Sequence, residues 1–289
     1  MAKPDIPQPY HQPGSSARFR RRAEAEAVRA TEPEVHVFGK SVICDTDTRG
    51  YPTPGNRPPT ELVLDASEGF IPLWANDVTL RWRFQERSMS IFEDPEAAKA
   101  GIEALLGEAL LKWGTAAPVK FARRTDAWDF EIVVREEDRC NINGCVLASA
   151  FFPDPGRHEL VIYPKMFEQS PNEQVDTMIH EIGHTFGLRH FFANISEQAW
   201  PSVVFGEHDP FTIMNYGSQS VLTNDDRDDL SRLYEAAWNG TLTKVNQTPI
   251  KLVKPFHTIG GLPVESRVQA DAVQAVAFSP SRERYAGAV

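Results

Sequence analysis

Apolar and polar residues alternate most cleanly over residues 78–84, where Val78, Leu80, Trp82 and Phe84 are separated by Thr79, Arg81 and Arg83. A period of two predicts a strand with one buried face. Trp128, Phe130, Ile132 and Val134, alternating with Asp129, Glu131 and Val133, predict a second. Between them the spacing becomes helical. Ala98, Ile102, Leu105, Ala109 and Trp113 mark one face, Asp94 is placed to cap the start, Pro95 fits the first turn and Gly114 supplies the stop. Residues 146–152 and 160–163 are short apolar runs on either side of Pro153-Asp154-Pro155-Gly156, a turn signal that predicts a strand pair.

A second helix opens at Ser170, with Pro171 in its first turn and Glu173 completing a capping box. Val175, Met178, Ile179, Ile182 and Phe186 give it an apolar flank, so it is expected to be wedged into the core. A last helix begins after Thr223, caps with Asp226, runs through Leu230, Leu233 and Tyr234 to Trp238, and ends near Gly240. Asp225, Asp226, Asp228 and Asp229 could suggest calcium, but acids at a helix start are already explained by the helix dipole.

The rest of the chain is less patterned. Residues 1–34 are rich in Pro, Gln, Ser, Arg, Ala and Glu and read as a disordered or weakly helical tail. Val35, Val37, Val42 and Ile43 suggest some strand, and six Gly and Pro residues between 45 and 60 suggest a linker, with the compact part starting near Leu62. Residues 190–214 read as loop, and weak strand character recurs at 250–256 and 272–278.

The chemistry concentrates in His180-Glu181-Ile182-Gly183-His184-Thr185-Phe186-Gly187-Leu188-Arg189-His190. On a helix, His180 and His184 leave the same face and can bind one metal ion. Glu181 lies about 100° round from His180, in reach of a water at the metal without ligating it. Gly187 can adopt a left-handed conformation and stop the helix, which lets His190 return as a third ligand. Three nitrogen ligands with one open position is the arrangement of a catalytic zinc, whereas a structural zinc is closed by four. At ~5% per residue type, five such fixed positions coincide by chance at ~10⁻⁴ over a chain of this length, so three unrelated surface histidines are the poorer reading.

Composition narrows the classes. The 289 residues, 41% hydrophobic, suffice for one substantial core with extensions or two small domains. A net charge of −10 excludes a global basic field for nucleic acid, and Arg18, Arg20, Arg21 and Arg22 read as a solvated tail. No run approaches the ~18 apolar residues of a membrane span. The first 14 residues hold four prolines and no apolar signal region, so the chain is expected in the cytoplasm, secreted non-classically, or extracellular if a leader is missing. Cys140 and Cys145 could close a small loop in an oxidising compartment, but free thiols are the expectation without a leader.

The zinc-type motif followed by Thr212-Ile213-Met214-Asn215-Tyr216 resembles the metzincin clan of zinc endopeptidases, whose Met-turn the second segment is similar to. Residues 146–153 are similar to the matrixin strand at the upper rim of the substrate cleft, and residues 222–234 to the matrixin closing helix. The resemblance covers roughly residues 70–240. It implies an α+β, zincin-like fold, with a twisted mixed sheet packed on long helices and a cleft between upper and lower subdomains. It implies one zinc on His180, His184 and His190, Glu181 as general base, Gly187 and Met214 as structural support, and Tyr216 as an oxyanion stabiliser. A polypeptide is the implied substrate.

Around the implied catalytic domain of residues 67–240, the expected organisation is a tail over 1–34, a pro-segment-like or linker extension over 35–66, and a C-terminal extension over 241–289 with no assigned role. Two departures stand out. Phe191 follows His190 where metzincin branches often carry a polar residue. Cys44 lies where a matrixin pro-segment would place a thiolate on the zinc, but Val42-Ile43-Cys44-Asp45-Thr46-Asp47 does not match that motif, so an ordinary thiol is the default and a latency switch the alternative. The rival function is a zinc-containing, non-catalytic binding or toxin-like module using the same cleft.

Overall fold

The computed structural model describes residues 17–21, 42–43, 62–65, 69–141, 144–190, 202–205, 212–214 and 221–259. Its first strands are short: β1 (Val42–Ile43), β2 (Leu62–Asp65) and β3 (Ile71–Trp74). The alternating segment forms β4 (Thr79–Phe84), with Leu80, Trp82 and Phe84 buried and the residues between them part-exposed. A single turn, α1 (Glu86–Met89), leads to α2 (Pro95–Trp113). Asp94 caps α2 by accepting from the Ala97 amide at 3.0 Å, and Gly114, at φ 58°, ends it in a conformation that glycine adopts readily.

Strands β5 (Lys120–Arg123), β6 (Phe130–Val134), β7 (Arg139–Asn141), β8 (Gly144–Val146), β9 (Ala148–Ser149) and β10 (His158–Ile162) follow. They lead to the motif helix α3 (Pro171–Thr185), and then to β11 (Leu188–Arg189) and β12 (Ser202–Phe205). The chain continues through α4 (Asn224–Trp238), β13 (Lys244–Val245), β14 (Thr248–Val253) and the short α5 (Phe256–Ile259).

The central sheet runs in the order β5-β4-β6-β10-β9, parallel except for the antiparallel edge strand β9. Both capping boxes form, Ser170 with Glu173 at α3 and Thr223 with Asp226 at α4. The sheet contributes Leu80, Phe84, Ile132, Leu160 and Ile162 to one core with Ile102, Leu106 and Ala109 of α2 and Met178 and Ile182 of α3. The architecture is α+β, a mixed sheet packed on helices.

Three expectations change, and the weak strand character at 250–256 appears as β14. Residues 17–21, inside the stretch read as a tail, dock against the domain: Phe19 is buried, stacking on Phe167 at 4.4 Å, and the Arg20 carbonyl accepts from the Glu93 amide at 2.9 Å. One large aromatic in a polar segment is enough to anchor it. Cys140 and Cys145 form a disulfide rather than free thiols, because the β7–β8 hairpin sets them directly opposite, with Cα atoms 4.0 Å apart.

The interval read as loop before Met214 contains β12, which pairs with β2, and β2 also pairs with β11 on its other side. The period-two signal is weak because each strand is so short. Finally, β14 adds in parallel to the wholly buried β3, which draws residues 244–253 of the C-terminal extension into the fold. Residues 272–278 lie outside the described residues. Replacing Asp94 with Ala is expected to cost about 1 kcal/mol of stability through loss of the α2 cap, measured by urea denaturation.

Candidate metal centre

Helix α3 ends where the motif requires it to. Gly187 adopts φ 93°, its amide donates to the His184 carbonyl at 2.8 Å, and the chain folds back on itself. That reversal brings the Leu188 carbonyl to 2.7 Å from His184 Nδ1, and two residues later His190 arrives beside both helical histidines.

The Nε2 atoms of His180 and His184 are 3.1 Å apart, as are those of His180 and His190. His180 Nδ1 lies 2.8 Å from the Ile213 carbonyl. A carbonyl can only accept, so the Nδ1 atoms of His180 and His184 carry the protons, and in the neutral rings each Nε2 presents a lone pair. Lone pairs 3.1 Å apart repel unless a cation lies between them. With Zn–N bonds of about 2.0–2.1 Å, tetrahedral geometry separates ligand nitrogens by about 3.3 Å, close to the separation here. The donor set fits zinc, and it is the group of three or more metal-competent side chains found among the described residues. His180, His184 and His190 are all buried, as is Glu181, only 1% exposed.

Support comes from distant parts of the chain. Trp113 Nε1 donates to the Ile179 carbonyl at 3.1 Å, Trp74 Nε1 to Thr185 at 2.7 Å, and the Tyr234 hydroxyl to Phe186 at 3.0 Å. Three aromatic donors from β3, α2 and α4 therefore fix the carbonyls of α3 and its cap. Burial pushes the Tyr234 phenol well above its ordinary value, so it remains a donor. Trp74 carried no periodic signal that could have singled it out.

Met214 packs so closely on Gly183 of α3 that a Cβ there would collide with the Met214 sulfur. Gly183 was not distinguished from its neighbours in the sequence. Its constraint exists only because residue 214 arrives from elsewhere. Thr212 ties this segment to α4 by donating to Asp226 Oδ1, while Asp226 Oδ2 accepts from the Thr223 amide at 2.9 Å. One carboxylate thus caps α4 and holds the backbone whose Ile213 carbonyl orients His180. Asp229 pairs with Arg232, so two of the four aspartates considered for calcium are engaged in holding α4.

Tyr216, Phe191 and Cys44 lie outside the described residues. His158 stacks on Phe151 at 4.4 Å, and His257 binds Asp129; neither belongs to the cluster of three. No helix among the described residues is long and apolar enough to cross a membrane.

A model of the matrixin family matches residues 74–235, from Trp74 of β3 to within α4. No curated protein matches the chain.

Burial is the main influence on Asp226 and raises its carboxyl above the ordinary value of 3.8, against the pull of the hydrogen bonds from Thr212 and Thr223. A raised native value means that the contribution of Asp226 to stability is full below pH 3.8 and declines as pH rises through the native value. In Asp226→Asn that decline is absent, so the stability of the variant relative to wild type should increase with pH; urea denaturation between pH 4 and 7 measures the difference. Gly183→Ala is expected to displace Met214 at a cost of about 1–3 kcal/mol and to weaken metal binding, read by denaturation and by competition with a chromophoric chelator.

Proposed function

The chain belongs to the matrixin family of zinc metallopeptidases, and on that premise we propose that it is an endopeptidase in which His180, His184 and His190 hold zinc and Glu181 moves the proton. The observation that carries this reading is the convergence of buried Nε2 atoms at 3.1 Å, with two of the rings oriented by backbone carbonyls and a buried glutamate one residue along from the first.

Zinc bound there would supply an electrophile for the peptide carbonyl and lower the pKa of a water toward ~7. The Glu181 carboxylate accepts a proton as the carbonyl is attacked and returns it to the nitrogen of the leaving amine. The Ile213 and Leu188 carbonyls hold His180 and His184 in the tautomer whose Nε2 is free to coordinate. Gly187 supplies the chain reversal and Met214 the apolar packing beneath the rings. The Tyr216 hydroxyl donates to the developing oxyanion. Strand β9 ends the central sheet, and such an edge suits an extended polypeptide added as a further strand.

The catalytic unit in this reading takes in β2, whose pairing with β11 supports the strand leading to His190, so it begins before residue 67. A Cys44 latch, in a segment removed before activity, is compatible with β1 lying alongside β8 next to the rim. A non-catalytic module that grips partners through the same cleft has no use for a buried carboxylate beside the triad, which favours the peptidase.

Glu181→Ala is expected to retain about one equivalent of zinc while peptidase activity falls by on the order of 10²–10⁴, measured with a quenched peptide and metal analysis. Retained hydrolysis would exclude this mechanism. Absence of chelator-sensitive hydrolysis by the wild-type protein, both full-length and cut before residue 60, would favour the binding module.

A further inference from the structure

We propose that the C-terminal extension completes a second binding site, a pocket for an oxyanion, carboxylate or phosphate, at the β4–β5 end of the central sheet. The cavity has a volume of about 450 Å³, within the range of small-ligand sites. One wall is the turn into β4, the start of that strand and the end of β5, with Thr79, Arg81 and Arg124. The other is built from residues 254–258, including Lys254 and His257, which lie beyond the end of the matrixin match at residue 235. The metal centre shares no residue with it.

A single buried carboxylate mounts both walls. Asp129, 1% exposed, accepts from the Arg81 amide on Oδ2 at 2.7 Å and from the His257 amide on Oδ1 at 2.9 Å. His257 Nδ1 sits 2.9 Å from Oδ2, so its proton points at Asp129. Arg157 reinforces the second wall, its guanidinium lying 4.3 Å from the Trp128 ring and 4.4 Å from the Phe256 ring. The pocket is therefore held open by its own scaffold.

Its charges select the ligand. Asp77 is engaged by Lys120 at 2.7 Å, and Arg124 is engaged twice by Asp126, at 3.0 and 2.9 Å. What remains is the Arg81 guanidinium and the Lys254 ammonium, neither of which makes an ion pair or side-chain hydrogen bond among the described residues. The chain carries 40 acids against 30 bases, so two cations without an ion-pair partner on one cavity run against its overall balance. A planar guanidinium fork beside a flexible ammonium matches a group with two or more acceptor oxygens.

The test uses the full-length chain at low ionic strength and follows backbone amides by NMR while inorganic phosphate, glutarate or an acetylated tri-aspartate amide is added. It needs neither peptidase activity nor bound metal. At least one probe is expected to give saturable shifts at residues 75–81 and 254–258 with a Kd below about 1 mM. Arg81→Gln and Lys254→Gln should each weaken it about tenfold or more, the cost of losing one charge-assisted hydrogen bond, while Lys165→Gln, an equal change in net charge elsewhere, should not. Phosphate alone would identify a phosphate group as the ligand, glutarate a small carboxylate, and the peptide alone an acidic segment of a polypeptide. No saturable shift up to about 10 mM of any probe, or equal binding by the Arg81 and Lys254 variants, overturns the proposal.

Discussion

His180 and His184 hold two lone-pair nitrogens 3.1 Å apart, a pairing that a neutral protein interior disfavours, and His190 Nε2 closes on His180 at the same distance. The surrounding structure orients His180 and His184, and the cluster is compatible with a bound zinc. Much of the tertiary structure can be understood as the means of holding that arrangement. The α3 helix supplies two rings at fixed spacing, and Gly187 reverses the chain to supply the third. Backbone carbonyls from residues 188 and 213 set the tautomers of His184 and His180. Since the Leu188 carbonyl comes from the turn that also delivers His190, the reversal performs two tasks at once.

Rigidity at the centre is bought far away in sequence. Trp74, Trp113 and Tyr234 lie on three different elements, yet each donates to a carbonyl of α3 or its cap. Asp226 joins the start of α4 to the segment whose Ile213 carbonyl faces His180. Buried polar groups of this kind stabilise only when fully partnered, and here the aromatic donors bring their own apolar surface with them. The same elements that make the core therefore position the chemistry, and the matrixin match spans this unit from β3 to α4.

Segments outside that match are not mere appendages. Strand β2 lies between β11 and β12, Phe19 anchors a turn near Phe92 and Phe167, and β14 extends β3. The C-terminal addition also brings Lys254 and His257 to a cavity whose other wall belongs to the family core. A shared domain can in this way acquire a ligand-binding feature without alteration of its metal centre.

The sequence by itself determined what depends on neighbours a few residues apart. Histidines spaced by four, a glycine positioned to end a helix, two capping boxes and clean alternation in β4 are all local, and the structure contains each of them. The family was legible for the same reason, because each part of its signature, residues 180–190 and then 212–216, is a short local motif. Tertiary structure alone decided the rest. Gly183 is constrained only by a methionine 31 positions later, Trp74 matters only because Thr185 presents a carbonyl to it, and Cys140 meets Cys145 through hairpin register rather than redox inference. His257, unremarkable among eight histidines, acquires a role from a buried Asp129 that is 128 residues away. Periodicity records which face of an element is buried, but not which distant group will meet it there.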